Sequence, residues 1–156
     1  MTCKKGEQSL GFLMTDVARL MRRNFNRRAQ ELELTQAQWQ TLFYISRNQG
    51  MRQSQLAEIL EVQPISVGRM IDRMAAAGWV ERKPDPSDRR AMNLFLTDKA
   101  EPILEQMQQF AAGLRQDMLK GLAEEEKEQM MRSLQIIRQN LIGDEADYVT
   151  GQSSRS

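Results

Sequence analysis

SQLAEILEVQPISVGRMIDRMAAAGWVERKPDPSDRRAMNLFLT, residues 54–97, is the stretch whose reading decides the fold. It opens with Leu56, Ile59 and Leu60 on one side of a helix only about two turns long, then breaks over Glu61-Val62-Gln63. Pro64 suits the first position of a second helix, where its missing N–H would be unpaired anyway. That helix, Pro64 to Ala77, carries Val67, Met70, Ile71 and Met74 inward and stops at Gly78. Two short helices joined by so tight a turn form a helix-turn-helix pattern. After Gly78 the periodicity changes. Trp79-Val80-Glu81-Arg82-Lys83 is a strand candidate, Pro84 to Asp88 is dense in turn formers, and Met92 to Leu96 alternates as a half-buried strand. The pair is thus followed directly by a β-hairpin with a charged tip, which makes a winged helix-turn-helix.

Upstream, apolar residues recur at helical spacing from Leu10 to Leu32, with Arg19, Arg22, Arg23 and Arg27 on the other side. Arg28 departs from this pattern, lying within the apolar stripe roughly above Leu10 and Val17. Thr35 and Gln38 form a capping box for a helix that Leu34 can staple against Trp39 and that stops near Gly50. Downstream, Ile103, Met107, Phe110, Leu114 and Met118 form one helical stripe, with Pro102 in or just after its first turn. Met130, Leu134, Ile137 and Leu141 form another, behind the dipole-favoured start Glu124-Glu125-Glu126. The expected fold class is therefore mainly α (α+β), and the polar segment after Gly143 reads as a disordered tail over 144–156.

Composition narrows the chemistry. The chain has 156 residues, one domain's worth, with no histidine and a single cysteine, Cys3. That removes Ser-His-Asp and Cys-His catalysis, imidazole metal sites and any internal disulfide. No phosphate-binding glycine loop or nucleophile elbow is present. Glu124 and Glu126 read as a helix start rather than as an acid–base pair. An enzyme is not expected, nor is a cofactor. No apolar run approaches a membrane span and Met1 to Glu7 lacks a signal-peptide core, so the expected location is the cytoplasm. The net charge of +1 is small for a nucleic-acid binder, but it hides an asymmetry. Residues 1–50 hold eight Lys/Arg against four Asp/Glu, and residues 91–156 hold seven against eleven.

The second helix of the pair is the recognition helix by position, since its first turns should enter the major groove of double-stranded DNA. Gln63, Pro64, Ile65, Ser66, Arg69 and Arg73 form the candidate reading surface, with Gln53 and Ser54 at the opening of the preceding helix. Gln can pair with adenine, and Arg with guanine or a phosphate. Alternatively these are solvated residues on an amphipathic helix. Arg89 and Arg90 lie at the far side of the hairpin, where a cation can enter a narrow minor groove. The alternative there is a solvated turn with a local Asp–Arg pair.

The order of elements resembles the MarR family of bacterial regulators over about residues 10–142. Ser87-Asp88-Arg89-Arg90-Ala91 through Leu96-Thr97 matches that family's Asp-x-Arg…Leu-Thr signature. Leu32 to Thr35, Val67-Gly68-Arg69 through Asp72, and Leu96 through Pro102 look like its SlyA-like branch. The resemblance implies one MarR-type domain over 1–143, with a winged helix-turn-helix lobe at 52–97 and dimerisation helices at 10–32 and 98–142. It also implies that Arg90 is the inserted residue, that Asp88 orients it, and that two subunits interlock into a homodimer reading a pseudo-palindromic operator. Such a regulator would be a repressor or anti-silencer. The family often binds aromatic carboxylates between the dimer helices and the DNA-binding lobe, and Arg28 with Trp39 and Phe43 is the candidate pocket here. An arginine that snorkels or pairs across an interface is the other reading of Arg28. Glu61 stands where the family often has Gly, Gly68 where a larger residue is usual, and Arg52 where Ser or Thr often caps. The rival function is a winged-helix protein-interaction module or anti-repressor without operator binding.

Overall fold

Ser9 opens the first helix by accepting the Phe12 N–H on its hydroxyl at 3.1 Å, and α1 then runs Leu10–Ala29. The computed structural model describes residues 9–142. Cys3 and the segment 144–156 read above as a tail lie outside the described residues. The end expected at Leu32 tightens into a 3-10 turn over Gln30–Leu32, closed by Glu33 in the left-handed region at φ 56°. The helix α2 (Gln36–Arg47) has the capping box read from the sequence: Gln38 N–H to the Thr35 hydroxyl, and Thr35 N–H to the Gln38 side chain.

Helices α3 (Gln53–Leu60) and α4 (Pro64–Ala76) are the tight pair. Their turn depends on Glu61 at φ 53°, which lets the Val62 N–H reach back to the Ala57 carbonyl at 3.2 Å. Gly78, at φ 83°, ends α4 the same way and sends the Trp79 N–H to the Met74 carbonyl at 3.0 Å. Trp79 is thereby held in the turn, and β2 is Val80–Pro84 rather than the expected Trp79–Lys83. It pairs antiparallel with β3 (Met92–Leu96), in register from Val80↔Leu96 to Pro84↔Met92. The third strand, Met51–Arg52, pairs on the other side of β3 and was not foreseen, because two residues carry no period. Numbered β1, it gives the sheet order β1-β3-β2. Thr97 closes the hairpin base, its hydroxyl donating to the Gly78 carbonyl and its N–H to that of Trp79.

The core joins the elements that present these turns. Leu42 and Ile45 of α2, Leu56 of α3, Val67, Ile71 and Met74 of α4, and Leu94 of β3 are all 0% exposed. Truncating any of the larger ones to Ala should cost about 2–5 kcal/mol. Helix α5 (Glu101–Met118), with Pro102 in its first turn, packs on α1 through an edge-on Phe25–Phe110 contact at 6.5 Å. The last helix, α6 (Glu124–Ile142), buries no residue within the chain. Its stripe finds no core here, and Leu141 is 81% exposed. On α1, Leu10, Leu13, Val17, Leu20 and Met21 are likewise exposed. The architecture is mainly α, a winged helix-turn-helix lobe set between N- and C-terminal helices.

A left-handed non-glycine residue costs roughly 1–2 kcal/mol, and the greater freedom of glycine in the unfolded chain offsets about 0.4–1 kcal/mol of any relief. Glu61→Gly should therefore stabilise the fold by up to about 1 kcal/mol. A higher urea midpoint with an unchanged m-value would confirm it.

Candidate nucleic-acid interface

With Val67, Met70, Ile71 and Met74 inward, helical geometry leaves Ile65, Ser66, Arg69 and Arg73 on the outer face of α4, all exposed. Ile65, at 65% exposure, is an apolar side chain held out in water by a rigid helix. Gln63 occupies the N-cap position without a side-chain capping bond, so its amide is not used by the helix start. Pro64 has no N–H and the Ser66 N–H bonds the Gln63 carbonyl at 3.0 Å, which leaves the Ile65 N–H at the positive end of the helix dipole.

The wing tip is ordered by two aspartates with different tasks. Asp85 accepts the Ser87 N–H at 2.8 Å and the Ser87 hydroxyl at 2.7 Å on one oxygen. Its other oxygen accepts Arg52 Nε at 3.2 Å, which braces the wing against the start of α3. The Ser87 hydrogen bonds, with Arg52 adding to them, lower the Asp85 carboxyl from 3.8 to about 2. Asp88 accepts the backbone N–H of Arg90 at 3.0 Å and, through its own carbonyl, the N–H of Ala91 at 3.1 Å. Asp88 therefore fixes the backbone at Arg90 and leaves the guanidinium exposed. No carboxylate among the described residues pairs with Arg89 or Arg90.

These parts meet in one concavity. A hollow of about 350 Å³ is lined by Arg52, Gln53 and Ser54, by Pro64, and by Asp88, Arg90, Ala91 and Met92 of the wing. It brings together residues up to 40 positions apart, and five of them are among the DNA candidates named from the sequence. Arg52 was seen there only as a poor cap. Its pairing with Asp85 has no local sequence signal, since the partners are 33 residues apart.

The three residues named for an effector pocket have other partners. Arg28 donates to the Phe110 carbonyl at 3.1 Å and to Asp117 at 2.6 Å, which ties α1 to α5. Trp39 packs against Phe25 with ring centroids 4.4 Å apart and planes tilted by 48°, and donates to Asn26 at 2.6 Å, while Phe43 packs against Tyr44 and Arg47. A larger hollow of about 620 Å³ runs along the arginine face of α1, from Arg19 to Arg27, and contains none of the three. Among the described residues no helix is long and apolar enough to cross a membrane, and no three metal-ligating side chains come together.

A reading helix, its partner and an arginine-tipped hairpin in this arrangement define the winged helix-turn-helix class. Residues 34–92 match the model of the MarR family. The chain is 30% identical to wild-type MarR from E. coli in its apo form, with 85% of this chain and 98% of that one covered at a TM-score of 0.74. It is 31% identical to the transcriptional regulator PA3341 over the same shares, also at 0.74. A MarR transcriptional regulator from Methanosarcina mazei Go1 has the same fold at 21% identity, covering 85% and 96% of the two chains with a TM-score of 0.75. The chain belongs to the MarR family of transcriptional regulators.

Asp85 has its carboxyl lowered by folding, so it stabilises the wing base fully above pH about 4 and progressively less as pH falls toward about 2. An NMR titration of the Asp85 carboxyl should give a midpoint near 2 in the native protein. In Ser87→Ala, which keeps the backbone N–H bond, that midpoint should move part of the way back toward 3.8, and no movement would remove the Ser87 hydroxyl as the main cause.

Proposed function

We propose that this regulator binds a pseudo-palindromic double-stranded DNA operator as a homodimer, with α4 in the major groove and the wing in the adjacent minor groove. The observation that carries the reading is the hollow joining Gln53, Ser54 and Pro64 to Asp88 and Arg90. It places helix start and wing side by side, as simultaneous contact with both grooves requires. In this reading Gln63, Ser66, Arg69 and Arg73 face base edges and phosphates, Ile65 meets a thymine methyl, and Arg89 and Arg90 approach the minor groove. Repression follows where such an operator overlaps a promoter, and anti-silencing where it displaces another protein.

The uncovered apolar residues of α1 and α6 support the dimer, because water-exposed side chains such as Leu13, Val17, Leu134 and Leu141 gain most from a second copy. We accordingly divide the chain into a DNA-binding lobe at 52–97 and dimerisation helices at 10–32 and 98–142. Two reading heads about one helical turn apart would then set the half-site spacing. The Leu32 to Thr35 and Leu96 to Pro102 segments support a SlyA-like regulator. An aromatic carboxylate effector would have to take the place of Asp117 on Arg28, and Asp117 is itself 71% exposed. The absence of a membrane-crossing helix among the described residues agrees with a cytoplasmic protein. A regulator of this kind needs no catalytic residue and no cofactor.

Arg90→Ala should weaken binding to a selected operator by about 1–3 kcal/mol, roughly 5- to 150-fold. The homodimer should remain intact. Anisotropy at physiological salt, with sedimentation as control, decides both points: unchanged affinity removes the wing from the mechanism, and a stable monomer removes the dimer.

A further inference from the structure

Arg82 stands in the middle of β2, opposite Leu94 of β3, and its side chain is 25% exposed. Its Nε donates to the Gln53 side-chain oxygen at 2.9 Å, and one terminal nitrogen donates to the Gly68 carbonyl at 2.9 Å. The other terminal nitrogen binds the Asp72 carboxylate. One planar fork thus holds the first residue of α3 and two successive turns of α4 to a strand of the wing. We infer that Arg82 is a positioning residue that sets the angle between wing and recognition helix and orients Gln53 toward DNA. This inference rests on the operator reading proposed above.

Each bond limits a different freedom. Gly68 and Asp72 are four residues apart on α4, so gripping both fixes the rotation of that helix as well as its distance from β2. Only a guanidinium can do this, because its donors are coplanar and point in fixed directions, whereas a lysine ammonium is a compact point charge. The bond to Gln53 has a chemical consequence. With its oxygen accepting from Arg82, the Gln53 side-chain amide is fixed in orientation, and one of that oxygen's two lone pairs is used. Its N–H groups can still give to a phosphate oxygen or a base acceptor, while the paired contact that glutamine makes with adenine would have to use the remaining lone pair of the same oxygen. A Cβ at position 68 would stand 3.5 Å from Gln53 Nε2, an ordinary van der Waals contact, so α3 and α4 lie close together at this point.

A residue that positions the reading surface differs measurably from one that touches phosphate. Losing a phosphate contact lowers the dependence of log K on log salt by about one, whereas losing alignment weakens specific binding and leaves that slope unchanged. The full-length protein, Arg82→Gln, Arg82→Lys and the milder Asp72→Asn would be titrated by anisotropy over a range of KCl. The probes are a duplex selected by the wild-type protein from a random pool, and sheared genomic DNA. The expected result for Arg82→Gln is a loss of tenfold or more on the selected duplex, with unchanged salt slope and near-wild-type binding to sheared DNA. Arg82→Lys should fail to rescue, and Asp72→Asn should lose several-fold in the same pattern while unfolding close to the wild-type temperature.

A slope reduced by about one would make Arg82 a phosphate contact and overturn the inference. Full affinity in either Arg82 variant, or an equal loss on both DNAs tracking a fall in Tm across all variants, would also overturn it. Wild-type protein without salt-sensitive binding to either DNA would overturn the operator reading as well, which separates the two failures.

Discussion

Val67, Ile71 and Met74 are 0% exposed, and their burial against Leu42, Ile45, Leu56 and Leu94 is the constraint on which the rest of this molecule depends. A helix of 13 residues is marginal in water by itself. Packing on one side is therefore what makes α4 a helix, and the same packing decides which residues it turns outward. Ile65, Ser66, Arg69 and Arg73 are presented because the other face has no alternative. The turn before α4 is bound by this too. Glu61 accepts a left-handed backbone because relaxing it would shift α3 against α4 and open the shared core.

The wing joins this unit through Val80 and Leu94, which are buried in the shared core, and polar contacts then brace it. Thr97 ties the hairpin base to Gly78 and Trp79, Arg52 reaches Asp85 near the tip, and Arg82 crosses from β2 to α3 and α4. Each ion pair keeps one partner open to water, Arg52 at 41% and Asp72 at 65% exposure, and pairs screened in this way contribute little to stability individually, about 0–1 kcal/mol. Their effect lies in direction. Two guanidiniums and a hydroxyl restrict how the hairpin tilts relative to a helix whose position is already set by apolar packing.

The sequence shows the packed elements more clearly than the polar braces. Leu56, Val67, Ile71 and Met74 carry the 3.6 period and Met92 to Leu96 the period of two, so α3, α4 and β3 are readable from spacing. The capping box at Thr35 and the stop at Gly78 are local signals and appear where expected. The strand Met51–Arg52 is too short to have a period and forms because β3 offers it a free edge. The bonds from Arg28 to Asp117 and from Arg52 to Asp85 span 89 and 33 residues, a distance over which one sequence gives no guide. Arg28 shows this most clearly: its place on an apolar stripe suggests a carboxylate site, or an arginine that snorkels or pairs across an interface, and its partners in the fold are Phe110 and Asp117 of α5 in the same chain.

The low net charge of +1 raised the question of how such a chain could hold a polyanion. The lobe's three aspartates answer it in part by where they are engaged. Asp85 is held by Ser87 and Arg52, Asp72 by Arg82, and Asp88 by the backbone of its own turn. Those contacts occupy the arginines that brace the lobe. Arg69, Arg73, Arg89 and Arg90 have no carboxylate partner among the described residues. Net charge counts both sets of arginines alike, whereas in the operator reading proposed above a phosphate backbone would draw chiefly on the second set, whose charge is not offset by a carboxylate among the described residues. The aspartates of this lobe are therefore engaged in bracing it rather than set against the arginines of α4 and the wing tip. They hold the frame that keeps four unpaired guanidiniums on the reading helix and the wing.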